Sequence, residues 1–160
     1  MPVSREQPDP LAYAAALPAN ARLFGLDLGT KTIGLALSDV DWRIGTALTT
    51  LKRKKFSVDA AEIVRLCGEH GIGGLVVGLP LNMDGTEGPR AQSTRAFVRN
   101  LAPLLPLPVA YCDERLSTVA AERPMLDADM SRAKRAEKID AAAAGFILQG
   151  ALDGMRQMAD

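Results

Sequence analysis

The chain has few residues that could act as nucleophiles or soft metal ligands. Its 160 residues include one histidine, His70, and two cysteines, Cys67 and Cys112. No Cys-x-x-Cys pair or histidine cluster indicates zinc, and a single histidine argues against Ser-His-Asp or Cys-His catalysis. The two cysteines are far apart in apolar surroundings, which is typical of buried thiols in a reducing cytoplasm.

Signals for membrane insertion and export are also missing. No apolar run approaches the ~18 residues that a membrane helix needs. The first residues, MPVSREQPDPLAYAAALP, lack the charged start and long apolar centre of a signal peptide. We therefore expect a cytoplasmic protein without a membrane partner.

Net charge and aromatic content bear on nucleic-acid binding. The chain has 19 basic and 19 acidic residues, and only 4% of its residues are aromatic. The equal number of basic and acidic residues argues weakly against binding of nucleic acid. The scarcity of aromatic rings argues against stacking on single-stranded bases. Basic residues nevertheless cluster in 52-KRKK-55 and 132-RAKRAEK-138. Such runs are usually solvated faces, but two of them in one small domain are compatible with contacts to a phosphate backbone.

Length and composition predict one globular domain. Hydrophobic residues make up 48% of the chain, enough for a core that needs no disulfide or metal to hold it. Residues 1–21 are rich in proline and alanine and have no clear period. We interpret them as a flexible N-terminal extension, with at most one helical turn over 10–17, and expect the ordered domain to span 22–160.

Hydrophobic periodicity predicts the element order β-β-β-α-β-α-β-α-α. Three strands form an antiparallel meander, and the later, continuously apolar strands suit parallel pairing. The predicted fold class is α/β, with a mixed five-stranded sheet flanked by helices. Asp59, followed by Glu62, resembles a capping box at the start of the first long helix. The predicted strands are 22–28, 32–38, 43–51, 73–80 and 107–114, and the predicted helices are 57–70, a segment ending at 101, 117–129 and 133–156.

Three carboxylates interrupt apolar segments. Asp27 lies in the first strand, Glu114 ends the last strand, and Asp140 lies in the final helix. Taken singly, each could pair with a nearby base or cap a turn, but burying all three together is costly unless a cation neutralises them. Mg²⁺ prefers oxygen ligands, and two such ions can activate water and stabilise a leaving oxygen in phosphodiester cleavage. Asp113 competes with Glu114, since adjacent strand residues point to opposite faces.

Neighbouring residues fit a phosphate site. Gly29 is expected to adopt a turn conformation that other residues avoid, which would leave Thr30 and Lys31 to face a phosphate. The alanines at 141–144 leave little bulk, so the final helix could approach the sheet closely. The polar loop 81–90 is expected to become ordered only over substrate.

Four segments together resemble the YqgF family of pre-16S rRNA nucleases, also called Holliday-junction-resolvase-like proteins. They are 25-GLDLGTKTIGLALSD-39, 76-VVGLPLNMDGTEGPRAQ-92, 113-DERLST-118 and 138-KIDAAAAGFILQGAL-152. The second and third together are highly specific, whereas DLGT alone is a weak signal. The resemblance covers about 23–152 and implies an RNase H-like fold. It also implies a hydrolase that cleaves phosphodiester bonds with one or two Mg²⁺ or Mn²⁺ ions.

Residue by residue, the resemblance implies that Asp27, Glu114 and Asp140 are catalytic metal ligands. The asparagine of the family's GLPLNMDG segment and the arginine of its Asp-Glu-Arg segment fall on Asn82 and Arg115. Asn82 and Thr30 are candidates for positioning substrate or ordering a loop. The candidate contacts to nucleic-acid phosphates are Lys31, Arg115, Lys134, Arg135 and Lys138. Pro124 departs from the pattern and predicts a kinked or shortened helix.

Several functions remain open at this point. The family is implicated in trimming the 5′ end of the 16S rRNA precursor, so the expected partner is that RNA, in a ribosomal particle during ribosome biogenesis. A resolvase acting on branched DNA would use the same carboxylates and should be a two-fold dimer. A non-catalytic RNA-binding assembly factor is a third possibility. A nucleotide-binding module of the actin and sugar-kinase type is disfavoured, because this chain supplies only one such domain. The sequence does not decide between monomer and homodimer.

Overall fold

The structure is a computed structural model, which describes residues 10–113 and 132–159, with side chains described within 13–113 and 141–156. None of the described helices combines the length and apolar character needed to cross a membrane. The described helices are α1 (Pro10–Ala16), α2 (Phe56–His70), α3 (Pro89–Leu101) and α4 (Arg132–Ala159), and the strands are β1 (Arg22–Leu28), β2 (Thr32–Ser38), β3 (Gly45–Lys52), β4 (Ile72–Leu79) and β5 (Val109–Asp113).

The strands form one mixed sheet in the order β3-β2-β1-β4-β5. β1, β2 and β3 pair antiparallel, while β4 pairs parallel with both β1 and β5. The predicted five-stranded α/β architecture is therefore confirmed. β4 is buried from Gly73 to Leu79, because it is a central strand covered by helices on both faces.

Helices cover the two faces of the sheet with separate cores. One face packs Phe24 and Leu26 of β1 against Ile63 of α2 and Phe97 of α3. The opposite face joins Leu23 of β1 to residues of α1 and α4. Because strand side chains alternate, the odd-numbered residues of β1 lie on the α4 side and the even-numbered ones on the α2/α3 side.

The N-terminal segment belongs to the packed fold from Tyr13 onward. Tyr13 is only 3% exposed, and its hydroxyl donates a hydrogen bond of 2.8 Å to the carbonyl of Leu75 in β4. Gly74 leaves the space for this contact, since a Cβ there would lie 2.4 Å from Cδ2 of Leu17 and 2.7 Å from the Tyr13 hydroxyl. The expected helical turn is present as α1, but the interpretation as a flexible extension does not hold for residues 13–17.

The predicted bounds of the strands and helices agree closely with the structure, but the predicted capping box at the start of α2 is wrong. β1 and β2 have the predicted bounds. Helix α2 begins after Lys55, so Asp59 is not its N-cap. Asp59 is instead buried inside the helix, where its carboxylate accepts a hydrogen bond of 3.0 Å from the backbone N–H of Lys54. The predicted helix 117–129, with Pro124, lies outside the described residues.

Candidate active site

Asp27 lies one residue before the end of β1, on the face that α4 covers. It is half-buried and pairs across the sheet with Gly34 of β2. The carboxylate therefore interrupts a strand whose preceding residues, Leu23 to Leu26, are all buried. Because Asp27 alternates with Leu26 and Leu28, it does not contribute to the core under α2 and α3.

Helix α4 comes into direct contact with β1 at Gly25, two residues before Asp27. A Cβ on Gly25 would lie 2.8 Å from the carbonyl oxygen of Ala144 and 2.9 Å from Cβ of Leu148. Real Cβ atoms essentially never come so near, so only glycine fits at this point. The expected close approach of the final helix to the sheet is confirmed.

Helix α4 runs antiparallel to β1. At the start of β1, Leu23 lies beside Ser38, which pairs with Gly45, and the N–H of Gly45 donates a 2.8 Å hydrogen bond to the side chain of Gln149. Gly25, two residues further along β1, faces both Ala144 and Leu148. The helix therefore runs toward lower residue numbers as β1 runs toward Asp27, and position 140, one helical turn before Ala144, lies toward the Asp27 end of the strand.

The parallel strands end at the same edge as Asp27. Leu26 pairs with Val77 of β4, Val77 pairs with Tyr111 of β5, and the register ends at Leu79 and Asp113. Tyr111 packs against the core under α2 and α3, whereas Cys112 belongs to the core on the α4 side. By alternation, Asp113 lies on the side opposite to Asp27.

The turn between β1 and β2 forms the rim of this edge. The N–H of Gly29 donates a hydrogen bond of 2.9 Å to the carbonyl of Thr32, while Thr30 and Lys31 are exposed. Gly29 does not adopt a positive φ, so the expected special turn conformation is wrong. A Cβ there would instead lie 3.1 Å from the Thr32 carbonyl oxygen, which is a tight approach to the backbone.

The rim is held in place by Arg53, which follows β3. Its guanidinium Nη1 donates a 2.7 Å hydrogen bond to the carbonyl of Gly29, and its backbone N–H donates to the carbonyl of Lys31 at 2.9 Å. The guanidinium also lies over the ring of Phe97, 5.5 Å from its centroid. Sequence reasoning took 52-KRKK-55 only as a charged run and missed this contact.

The loop after β4 is ordered by its own hydrogen bonds. The N–H of Asn82 donates to the Thr86 carbonyl at 2.8 Å, and the Asn82 amide donates to the Thr86 hydroxyl at 3.0 Å. The carboxylate of Asp84 accepts from the N–H of Thr86 at 3.0 Å. The loop thus has a hydrogen-bonded conformation of its own, in which Asn82 bonds to Thr86.

A partly buried ion pair links the same loop to α3. Arg95 and Glu87 form two hydrogen bonds of 2.7 and 3.0 Å, and their side chains are 9% and 21% exposed. The Arg95 guanidinium also lies 4.6 Å from the centroid of the Tyr111 ring on β5. This link was not predicted, since nothing in the sequence marks residues eight apart in a loop and a helix as partners.

The other predicted site residues are described only in part. Glu114 and Arg115 lie outside the described residues. Lys134, Arg135, Lys138 and Asp140 lie on α4, but their side chains are outside the described set. Over the described part of the chain, no three histidine, cysteine, aspartate or glutamate side chains form a group that could hold a metal.

The thiols provide no nucleophile for this site. Burial raises the pKa of Cys67 to about 12. Burial, followed by the negative charge of Asp113, raises the pKa of Cys112 to about 11. Both cysteines therefore stay protonated near neutral pH, as expected for structural thiols.

Comparisons with known proteins agree on one family. Residues 21–154 match the family model described as "RuvX: Holliday junction resolvase". A protein of Rhodobacter capsulatus named "Putative pre-16S rRNA nuclease" is 62% identical over 146 residues, which cover 91% of this chain and 92% of the relative. A protein of the same name from Bradyrhizobium sp. is 60% identical over 145 residues, 90% of each chain.

Among solved structures, the yeast mitochondrial Holliday junction resolvase Ydc2 is similar with a TM-score of 0.51. The likeness covers 92% of this chain and 84% of that one at 11% identity. At that identity it bears on the fold alone. It confirms the RNase H-like fold that the sequence resemblance implied.

Proposed function

The chain belongs to the RuvX family, also called YqgF, and we propose that it is a metal-dependent nuclease that hydrolyses phosphodiester bonds. Its substrate in this proposal is the 5′ end of the 16S rRNA precursor, processed in the cytoplasm during ribosome biogenesis. The observation that carries the proposal is the close approach of α4 to β1 at Gly25. Asp27 is two residues beyond Gly25 on the same face of β1, and position 140 is one helical turn before Ala144, so in this proposal Asp27 and Asp140 share one end of the sheet.

The proposed metal ligands are Asp27, Glu114 and Asp140. Their carboxylate oxygens are the donors that Mg²⁺ and Mn²⁺ prefer. The fit is supported by two features of the described residues: the end of β1 carries a half-buried carboxylate, and glycine at position 25 lets a helix come to backbone contact beside it. A bound divalent cation would supply an activated water and stabilise the charge that develops on the phosphate.

The alternation of β5 supports leaving Asp113 out of the proposed ligand set. It shares the α2/α3 side with Tyr111, whereas Asp27 lies on the α4 side. This supports Glu114 as the carboxylate of the 113-DERLST-118 segment that takes part in the reaction. It also makes Asp113 a matched control, since it lies at the same edge and carries the same charge.

The remaining residues of this edge would bind and orient the substrate. Thr30 and Lys31 are exposed on the rim directly after Asp27, where they would contact a phosphate. Asn82 holds the loop after β4 in shape, and the Arg95–Glu87 pair fixes that loop to α3. In this proposal Arg115, Lys134, Arg135 and Lys138 add further contacts to the phosphate backbone.

Cleavage of branched DNA is the second candidate, favoured by the description of the family model. The two substrates can be compared directly. A labelled, 5′-extended 16S rRNA precursor within a ribosomal particle and a labelled four-way DNA junction are each incubated with the protein and Mg²⁺ or Mn²⁺. Cleavage of the RNA alone supports the proposal, and symmetric cutting of the junction alone assigns the chain to DNA.

Asp27→Asn tests the site. We expect it to lower the cleavage rate more than about a hundredfold, the upper range for residues that only support a metal ligand. Thermal melting should show that the variant is folded. Asp113→Asn should retain cleavage. If Asp27→Asn cut as fast as the wild-type protein, the site assignment would be wrong, and undiminished function in vivo would favour a non-catalytic RNA-binding role.

A further inference from the structure

A small cleft lies between the β1–β2 turn and α3, on the side of the sheet away from α4. Its polar lining comes from Thr30, Arg53, Arg90, Ser93 and Thr94, and its volume is ≈ 40 Å³. By the same measure one water molecule needs about 10–15 Å³, so the cleft has room for a tetrahedral anion or a few waters.

The charge of the cleft has one sign. Arg53 and Arg90 line it, and among the described residues no carboxylate does. Neither arginine forms a salt bridge within the part of the chain that the structure describes. The hydrogen bond from Arg53 to Gly29 and its stacking on Phe97 fix its guanidinium. Since a guanidinium has five N–H donors, most of them remain for another acceptor.

Thr94 provides an independent sign of a ligand. The residue is only 3% exposed and lines the cleft. The structure records no hydrogen bond from its hydroxyl to any described residue. Buried hydroxyls without a partner are rare and require an explanation. An anion in the cleft would supply the missing acceptor.

Helix α3 presents one continuous face to this space. Arg90, Ser93, Thr94 and Phe97 follow the spacing of one side of a helix. The helix begins after Gly88 with no side-chain cap. Its first turn therefore adds the favourable field of a helix N-terminus to the two guanidinium groups.

We propose that this cleft binds one phosphate of the nucleic-acid backbone, at a nucleotide other than the one that is cut. The inference rests on the proposed nuclease function. Thr30, which lines the cleft, is three residues along the chain from Asp27. That stretch spans at most about 10 Å, a distance that one or two nucleotides can bridge. The arginines would thus bind the nucleic-acid strand on the α3 side, while its scissile phosphate lies on the α4 side.

Binding without cleavage tests the cleft separately from the reaction. Fluorescence anisotropy of a short labelled single-stranded RNA is measured in EDTA, with the full chain, across a salt series. Arg90→Gln should weaken binding roughly tenfold, the range for a hydrogen bond to a charged group. It should also reduce the slope of log affinity against log salt by about 0.7. Arg99→Gln removes an equal charge from the same helix outside the cleft, and should change affinity much less.

Thr94→Val distinguishes a ligand contact from a structural role. It keeps the shape of the side chain and removes only the hydroxyl. Since that hydroxyl has no described partner, the melting temperature should be retained while RNA affinity falls several-fold. A variant that melts lower and binds RNA as tightly as the wild-type protein would show a structural role and overturn the proposal.

Each remaining outcome has a definite meaning. If the wild-type protein binds RNA and both cleft variants bind equally well, the cleft proposal fails and the nuclease proposal stands. If Arg99→Gln weakens binding as much as Arg90→Gln, general charge is responsible and the cleft is not a site. If inorganic phosphate shifts the amide signals of residues 90–94 but RNA affinity is unchanged in the variants, the cleft takes free phosphate only. If the wild-type protein binds no RNA in EDTA, the cleft proposal is overturned, and the cleavage assay with Mg²⁺ or Mn²⁺ decides the nuclease proposal separately.

Discussion

Replacing Gly25 with alanine should separate the two elements that the proposed active site needs. The added methyl group would lie 2.8 Å from the carbonyl oxygen of Ala144 and 2.9 Å from Cβ of Leu148. Neither obstacle is the flexible end of a side chain, so a rotamer change cannot relieve the contact. Helix α4 must therefore move away from β1 by several tenths of an ångström, and position 140 moves with it.

The cost can be estimated from general values. Overpacking a core by one carbon costs about 1–3 kcal/mol. For a domain of this size, each 1 kcal/mol lowers the melting temperature by about 2–4 °C. A displacement of about 1 Å between catalytic groups can cost about 100-fold in rate, so a shift of several tenths of an ångström should lower the rate about tenfold. We therefore expect a folded protein whose metal-dependent cleavage is about tenfold slower than that of the wild type.

The assay is cleavage of labelled RNA well below the melting temperature, with circular dichroism to confirm folding. Gly150→Ala is the matched control, since a Cβ on this residue of α4 would contact nothing within 4 Å. Alanine there should be neutral or stabilising, by up to about 1 kcal/mol. Wild-type cleavage by a stable Gly25→Ala protein would refute the argument that close contact between α4 and β1 assembles the site.

The remaining predictions concern stability. Tyr13→Phe removes the buried hydrogen bond to Leu75 and should lower the free energy of unfolding by about 1–2 kcal/mol in urea denaturation. Burial raises the pKa of Cys67 from 9.0 to about 12, so the folded state favours the neutral thiol. The stabilisation that this thiol contributes is complete below pH 9.0 and is lost as the pH rises toward 12. Urea denaturation at alkaline pH should therefore show a smaller fall in the free energy of unfolding for Cys67→Ala than for the wild-type protein. Arg95→Met leaves the carboxylate of Glu87 partly buried without its partner, and should lower the free energy of unfolding by about 3 kcal/mol. Adding Glu87→Gln should recover part of that loss, which urea denaturation of the single and double variants would measure.

The strands that carry the proposed site were predictable because their pattern is local. β1 and β2 have the expected bounds, since apolar alternation and a Gly-Thr-Lys turn determine both within 17 residues. Asp27 was recognisable as a candidate because a carboxylate among buried leucines has a desolvation cost that must be offset. The mixed pairing of the sheet followed from the sequence of elements, because hairpin-connected strands pair antiparallel and strands joined through helices pair parallel.

The features that were missed depend on contacts between distant residues. The docking of α1 is decided by Gly74, about sixty residues away from Tyr13, and a proline- and alanine-rich segment gives no periodic signal of it. Asp59 matched a capping pattern, but its carboxylate accepts from the backbone N–H of Lys54 from within the helix. The attachment of the loop after β4 to α3 likewise depends on Arg95, which no local pattern connects to Glu87.

The carboxylate Asp27 and the arginines of the cleft lie on opposite faces of the sheet. Asp27 lies on the α4 side, whereas Arg53 and Arg90 lie in the cleft on the α3 side. Phosphate is attracted to the arginines without any cation, but it approaches the carboxylates only when a cation neutralises them. Binding and cleavage should therefore respond to different substitutions. Asp27→Asn removes a negative charge and should retain or tighten RNA binding in EDTA while cleavage is lost, whereas Arg90→Gln should weaken binding under the same conditions. A protein that only bound RNA would gain from losing Asp27 altogether, so its presence in an otherwise apolar strand favours catalysis.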